Sequence, residues 1–195
     1  IKCVGNPKEK FDEDALRIMR AIRFQATLGF TIETDTWETM YCCRKNLQKI
    51  AKERIGSEFM KMFRAENSIY LTSAISNNSD IFYELIPEMR HMSAVMNDHR
   101  YISSENVDDV FTHTIEAISQ SDRNEFVRLA LLFHDIGKVD MRDDAVEAED
   151  GHVDRSMKIA KSVMERYRFD NNTIDIVCEL IKYHEHYKLL EVNDN

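Results

Sequence analysis

The chain has 195 residues, 43% hydrophobic and 31% charged, with a formal net charge of −9. That is a soluble globular composition, long enough for one large domain or two small ones around a buried core. No apolar run approaches the ~20 residues of a membrane span, no secretory leader is expected, and five glycines and two prolines are too few for a turn-rich sheet protein, so the reading is all-α.

In chain order, IKCV reads as the last strand or extended tail of something upstream, and GNP as a turn. The chain opens on Ile1 rather than Met, and is expected to be a piece of a longer protein. A helix is predicted from Asp12, its N-cap, to Leu28, with Gly29 as the C′ residue. TIETDTWETMYCCRKNLQKI reads as a second helix capped by Thr34 or Asp35. KERIGSEFMKMFRA reads as a third, with Ile55, Phe59, Met62 and Phe63 on its apolar side. Residues 67–90 contribute one or two shorter helices, with an interruption near Pro87. A division is expected near residues 91–105. NVDDVFTHTIEAISQ then opens a new unit. EFVRLALLFHDIGK is an apolar helix stopping at Gly137, and residues 140–152 read as an acidic loop. DRSMKIAKSVMERYRF and TIDIVCELIKYHEHY complete the set.

Charge is unevenly spread. Lys and Arg outnumber Asp and Glu by 13 to 10 over residues 1–66, and are outnumbered 25 to 13 over the rest. A polyanionic partner should therefore prefer the first third. The four cysteines, Cys3, Cys42, Cys43 and Cys178, form no CxxC pair. They read as reduced thiols of a cytoplasmic protein rather than as a zinc site.

Five of the seven histidines fall in the second half: His113, His134, His152, His184 and His186. In LALLFHDIGK, His134 and Asp135 end an apolar helix, where buried polar groups need partners. Adjacent His and Asp side chains there can reach one metal ion, and His113 on the preceding helix can face them across an antiparallel pair. Imidazole plus carboxylate suits Mg2+, Mn2+, Ni2+, Zn2+ or Fe, without choosing among them. An isolated His on an apolar helix is more often a satisfied core residue, and a lone HD dipeptide carries little weight.

The combination of His113, LLFHDIGK and GHVDRS is more specific. It resembles the HD superfamily of metal-dependent phosphohydrolases. The resemblance implies a metal held by His113, His134 and Asp135, with Gly137 and Lys138 matching the HDIGK form. It also implies that His152 and His184 hold a second metal or a phosphate, with Ser156 part of the GHVDRS element. One departure stands out. The last Asp of the family pattern belongs on a helix beyond His184, where the chain offers only Asp194, so the site is expected to be incomplete.

In EDALRIMRAIRF, Arg17, Arg20 and Arg23 recur every three residues and form one helical ridge. A solvated face with a Glu13–Arg17 pair explains one arginine better than three, and the planar guanidinium suits phosphate or a base edge. VGNPKEKFDEDALRIMRAIRFQATLGFTIETDT, with the later KERIGSEFMKMF, resembles the neck of bacterial tRNA nucleotidyltransferases, the CCA-adding enzymes and their poly(A) polymerase relatives. The resemblance is strong over residues 1–64 and 107–157 and weak over 65–106. It implies that Asp14 and Arg17 read the edge of incoming CTP or ATP, with Arg20 and Arg23 lining the same pocket. Side-chain reading of base edges follows the same logic elsewhere. Arg54 and Glu58 would orient the neck helices. It also implies tRNA as partner and Mg2+ in an upstream head carrying a GS pair and a DxD motif; no GS element of that kind precedes the neck here, and no DxD is expected to act as a substitute. The expected layout is a neck over residues 1–66, connecting body helices over 67–104 and an HD domain over 105–195. The alternative reading is a stand-alone HD phosphohydrolase acting on nucleotides or cyclic phosphates; a weaker third is a non-catalytic helical binding module.

Overall fold

The computed structural model describes residues 1–94, 109–140 and 151–185. Among them the secondary structure is helical, with no β-strand. The expected all-α class holds. No helix among the described residues is long and apolar enough to cross a membrane.

The N-terminal tail is extended rather than a strand. Its Ile1 carbonyl accepts from Glu33 N–H at 2.8 Å. Helix α1 spans Pro7–Glu13 and is capped by Asn6, whose side chain accepts from Lys8 and Glu9 N–H, with Pro7 in the first turn. Proline lacks an N–H that this position would leave unpaired anyway. The chain breaks at Asp14 (φ −150°, ψ 98°). Asp14 Oδ1 accepts from Leu16 N–H at 3.0 Å, and α2 follows over Leu16–Leu28. The single helix predicted from Asp12 is therefore two. A short acidic side chain that bonds the backbone two residues on competes with the helical ladder. Gly29, at φ 70°, closes α2 as expected.

The second predicted helix stops at Cys43, as α3 over Thr34–Cys43. A tighter 3-10 segment, Arg44–Lys49, carries the chain on. Glu33, rather than Thr34 or Asp35, holds the N-cap position. Helix α4 spans Lys52–Phe63 and buries Ile55, Phe59, Met62 and Phe63 as the pattern requires. Helices α5 (Ser68–Asn77) and α6 (Ser79–Leu85) follow, and Pro87 begins a 3-10 segment, Pro87–Ala94. The expected division overlaps residues 95–108, outside the described residues, as do most of the acidic loop and His186.

In the second half, α7 spans Val110–Ser119 and α8 spans Glu125–Phe133. Helix α8 ends before His134, and Gly137 lies inside a 3-10 segment, Ile136–Asp140, rather than ending the helix. Helices α9 (His152–Arg166) and α10 (Asn171–Tyr183) complete the described chain.

Helix α2 packs on α4 and α5, and α10 packs on α8 and α9. The halves meet where α5 lies on α7 and α4 on α8. One continuous apolar core runs through both, from Phe11 to Ile181. Arg128, at 1% exposure, is buried at this seam. Its Nη1 donates to Phe63 O at 3.2 Å and to Ala65 O. Phe63 is the last residue of α4, whose final carbonyls have no partner within the helix, and Ala65 lies just beyond it. Tyr167 donates to Leu85 O at 2.6 Å. Its burial pushes the phenol up to about 12. Gly56 lets α4 approach the same place, since a Cβ there would meet Tyr167 O at 2.2 Å.

Candidate metal centre and neck cluster

Two clusters of charged side chains stand out, one in each half. The first lies where α8 ends. His134 and Asp135 sit in the turn after α8, and both are buried. His113 reaches them from α7, with its ring 5.2 Å from that of His134. His152 opens α9, and His184 follows α10, their rings 5.6 Å apart.

Asp135 stands at the centre. Its Oδ2 lies 3.6 Å from His113 Nε2 and 3.3 Å from His134 Nε2. Its Oδ1 lies 3.5 Å from His152 Nε2 and 3.6 Å from His184 Nε2. The carboxylate thus turns one oxygen to each pair of imidazoles. Ligand atoms of His113, His134 and Asp135 lie within 4.8 Å of one another, as do those of Asp135, His152 and His184.

Local structure aims these rings. His134 Nδ1 lies 2.7 Å from Leu131 O, and His184 Nδ1 lies 2.7 Å from Ile181 O. Both carbonyls belong to the last turn of a helix and lack an i+4 partner. A proton on Nδ1 satisfies that carbonyl and leaves the Nε2 lone pair pointing inward, which is how ligating imidazoles are held. Gly137 brings the segment after Asp135 against α9: its N–H donates to Ser156 Oγ at 2.9 Å, and a Cβ there would meet His152 O at 2.3 Å.

The electrostatics favour a cation. Burial pushes the Asp135 carboxyl up, but the imidazoles of His134 and His184 and the Lys138 ammonium outweigh it and hold the group well below the usual carboxylate range. Lys138 Nζ donates to Oδ2 at 2.7 Å. Oδ1 is buried and accepts no hydrogen bond among the described residues. A buried carboxylate oxygen without a donor is costly, and a divalent ion supplies what it lacks. Borderline nitrogen and oxygen donors fit such an ion.

All five residues predicted for metal or phosphate are therefore brought together. Sequence reasoning did not single out Glu185, whose Oε1 lies 3.6 Å from His152 Nε2. It directly follows His184, and that adjacency was the available signal. Asp194 lies outside the described residues. Cys3, Cys42, Cys43 and Cys178 are free thiols.

The neck cluster is built differently. Asp14 Oδ2 accepts from Arg54 Nη2 at 3.0 Å. Slight burial pushes Asp14 up, and the bonds from Arg54 and Leu16 N–H carry it below its ordinary value. Arg17 turns to Glu13 Oε2 and Lys10 O, each at 3.1 Å, rather than to Asp14. Arg23 Nε donates to Glu58 Oε2 at 2.7 Å in a largely buried pair that ties α2 to α4. Burial pushes the Glu58 carboxyl up, but hydrogen bonds from Lys61 and Arg23 outweigh it, so it titrates below its ordinary 4.5. Arg20 is exposed. The ridge thus presents Arg17 and Arg20 outward, while Arg23 turns toward α4.

Comparison with known proteins agrees with both halves. Residues 29–92 match the family described as "Probable RNA and SrmB- binding site of polymerase A". Residues 89–192 match the HD domain. The chain is 51% identical to the CCA-adding enzyme of Oceanobacillus iheyensis over 34% of this chain and 17% of that protein. It is 32% identical to the CCA-adding enzyme of Leuconostoc mesenteroides over 63% of this chain and 31% of that protein. It is 26% identical to the multifunctional CCA protein of Legionella pneumophila over 100% of this chain and 48% of that protein. The chain spans less than half the length of these relatives. The HD match takes in more than half of the chain, and the chain belongs to the HD domain family.

Proposed function

We propose that this chain is the neck and HD portion of a tRNA nucleotidyltransferase that adds CCA, or part of it, to tRNA 3′ ends from CTP and ATP. The observation that carries this reading is the conjunction, in one continuously packed chain, of the two family matches with similarity to CCA proteins along its whole length. The neck selects the nucleotide and binds tRNA. Asp14 accepts from the exocyclic amine that cytosine and adenine share. Arg54 holds Asp14 in place, and Arg17 supplies a donor beside it. Arg20 faces phosphate, and Arg23 fixes the ridge to α4 through Glu58. Mg2+ serves the transfer step from the head of such an enzyme.

The HD centre has its own chemistry. A divalent cation held by His113, His134 and Asp135, and a second held by Asp135, His152 and His184, would supply Lewis acidity toward a phosphoryl oxygen and lower the pKa of water. The chain's residues do the rest. The Nδ1 bonds of His134 and His184 keep each Nε2 free for ligation. Lys138, beside Asp135, offers an ammonium to a phosphate oxygen, and nucleotides or cyclic phosphates are the substrate class of this centre.

The test is incorporation. The full-length protein carrying this chain should add CMP and AMP to a tRNA lacking its 3′ CCA. Absence of incorporation with CTP, ATP and Mg2+ present would reject the transferase reading. Phosphodiesterase turnover with Mn2+, Ni2+ or Mg2+, compared with His134→Ala, tests the HD centre separately.

A further inference from the structure

Away from both clusters, α3 meets the ends of α2 and α5 at an open cleft of about 370 Å³, lined by Gln25, Thr31, Ile32, Trp37 and Asn77. Trp37 supplies an aromatic wall, held in place because its Nε1 donates to Asn77 O at 3.2 Å. Gln25 is 92% buried on the cleft wall (8% exposed). Asn78 Nδ2 clamps its Oε1 at 3.0 Å, which leaves the amide nitrogen of Gln25 for the cleft. That nitrogen donates no hydrogen bond among the described residues, and the Asn77 carboxamide makes none there either. An amide edge open to the cleft, beside an aromatic face and the exposed Asn77 amide, suits a flat ligand with donors and acceptors on its edge.

The cleft opens onto a stripe of α3 and the turn that follows it. Tyr41 stacks on Trp37 with ring centroids 6.1 Å apart and planes 21° from parallel. Arg44 lies over the Tyr41 ring at 4.0 Å, and Lys45 is exposed beside it. Trp37 and Tyr41, at i and i+4, share one face of α3, and Arg44 and Lys45 open the 3-10 segment that continues it. Neither Arg44 nor Lys45 makes an ion pair among the described residues. Of the acidic groups here, Glu33 is paired by Lys2 at 3.3 Å, and Asp35 and Glu38 are exposed on α3. Aromatic rings that stack bases, interleaved with cations that track phosphates, form the recurring surface for single-stranded nucleic acid.

We infer that the cleft between α2, α3 and α5 is a subsite for one unstacked nucleobase of an RNA strand, stacked on Trp37 and read by the Gln25 and Asn77 amides, with the strand's phosphates running along Arg44 and Lys45. This rests on the reading of the chain as an RNA binder, and adds the place and the residues. RNA is recognised largely through such splayed-out single-stranded bases.

Trp37 is the only tryptophan in the chain, so its emission reports on the cleft alone. The chain is titrated with a fluorescein-labelled single-stranded RNA decamer, following label anisotropy and tryptophan emission, and with AMP alone. RNA binding should quench Trp37 emission with the same midpoint as the anisotropy rise, and AMP should not quench at the same concentrations. Trp37→Ala should weaken the RNA by roughly 5- to 150-fold, the range for loss of one stacking contact, and Asn77→Ala by roughly 2- to 12-fold, the range for one hydrogen bond. Asn77 is exposed, so its variant answers the question if Trp37→Ala fails to fold. RNA that binds with Trp37 emission unchanged, and with full affinity for Asn77→Ala, overturns the subsite and leaves the RNA-binding reading standing. Quenching by AMP equal to that by RNA overturns it in favour of a mononucleotide site. No anisotropy change with the wild-type chain overturns the RNA-binding reading itself.

Discussion

The neck and the HD region each gather charged side chains, but they neutralise them in opposite ways. In the neck cluster, Glu13 pairs with Arg17, Asp14 with Arg54, and Glu58 with Arg23 and Lys61. Most of these groups remain open to water, so the pairs are weak and exchangeable. In the HD region, one buried carboxylate faces four imidazoles, and one of its oxygens accepts no hydrogen bond among the described residues. A cluster whose charges are already balanced can lend its polar edges to a passing ligand. A buried carboxylate ringed by imidazole nitrogens, one oxygen held by Lys138 and the other without a donor, suits a cation that stays.

The largest effect should come where the two regions meet. Arg128→Ala removes the donor that satisfies Phe63 O and Ala65 O and should cost about 3 kcal/mol, since buried carbonyls lose their partner. Urea unfolding of the chain measures it. Next is the HD centre. At 100 times its Kd, Mn2+ should stabilise the chain by about 2.7 kcal/mol through mass action alone. Asp135→Ala should abolish that gain, because both ligand sets share this carboxylate. Thermal unfolding with and without Mn2+ reads it.

The Arg23–Glu58 pair sharpens the contrast within the neck, because it alone is largely buried. Arg23→Ala should cost about 1–3 kcal/mol at pH 7. Glu58 titrates below its ordinary 4.5 in the folded chain. Its stabilising contribution is therefore present above that value and disappears as pH falls through the depressed one. The penalty of Arg23→Ala should shrink as pH is lowered below 4.5, and denaturant titrations at a series of pH values check this. Glu13→Gln marks the small end of the scale. Its pair with Arg17 is exposed, so the change should move stability by no more than about 0.5 kcal/mol.

The HD centre was legible because its ligands are chemically specific and its helices are regular. His113, His134, Asp135, His152 and His184 are named by residue type, and period-3.6 helices bring them together. Gly137 and Ser156 followed from the same motif, and the structure gives the reason: the glycine N–H meets the serine hydroxyl where no Cβ fits. Arg128 was missed. Its signal was a lone cation in the apolar run EFVRLALLF, but its carbonyl partners lie at and just beyond the end of α4, more than sixty residues away in sequence. The break at Asp14 was missed for the opposite reason. Its cause is local, and Asn6–Pro7 already marked an earlier helix start, while the apolar spacing ran smoothly across the break. The Glu13–Arg17 pair followed from its i,i+4 spacing, whereas Asp14–Arg54 and Arg23–Glu58 join residues 40 and 35 apart in sequence, which the spacing of a ridge does not record.

The most direct measurement of the central claim is nucleotide choice by the full-length enzyme carrying this neck, acting on tRNA without its CCA end, with Asp14 compared against Asp14→Asn. Asn keeps an acceptor for Leu16 N–H but loses the charge that faces the base and Arg54. Discrimination of CTP and ATP against UTP and GTP should fall by roughly 1–3 kcal/mol, about 5- to 150-fold in kcat/KM ratio. Incorporation with selectivity unchanged in Asp14→Asn would contradict a neck that reads the nucleotide through Asp14.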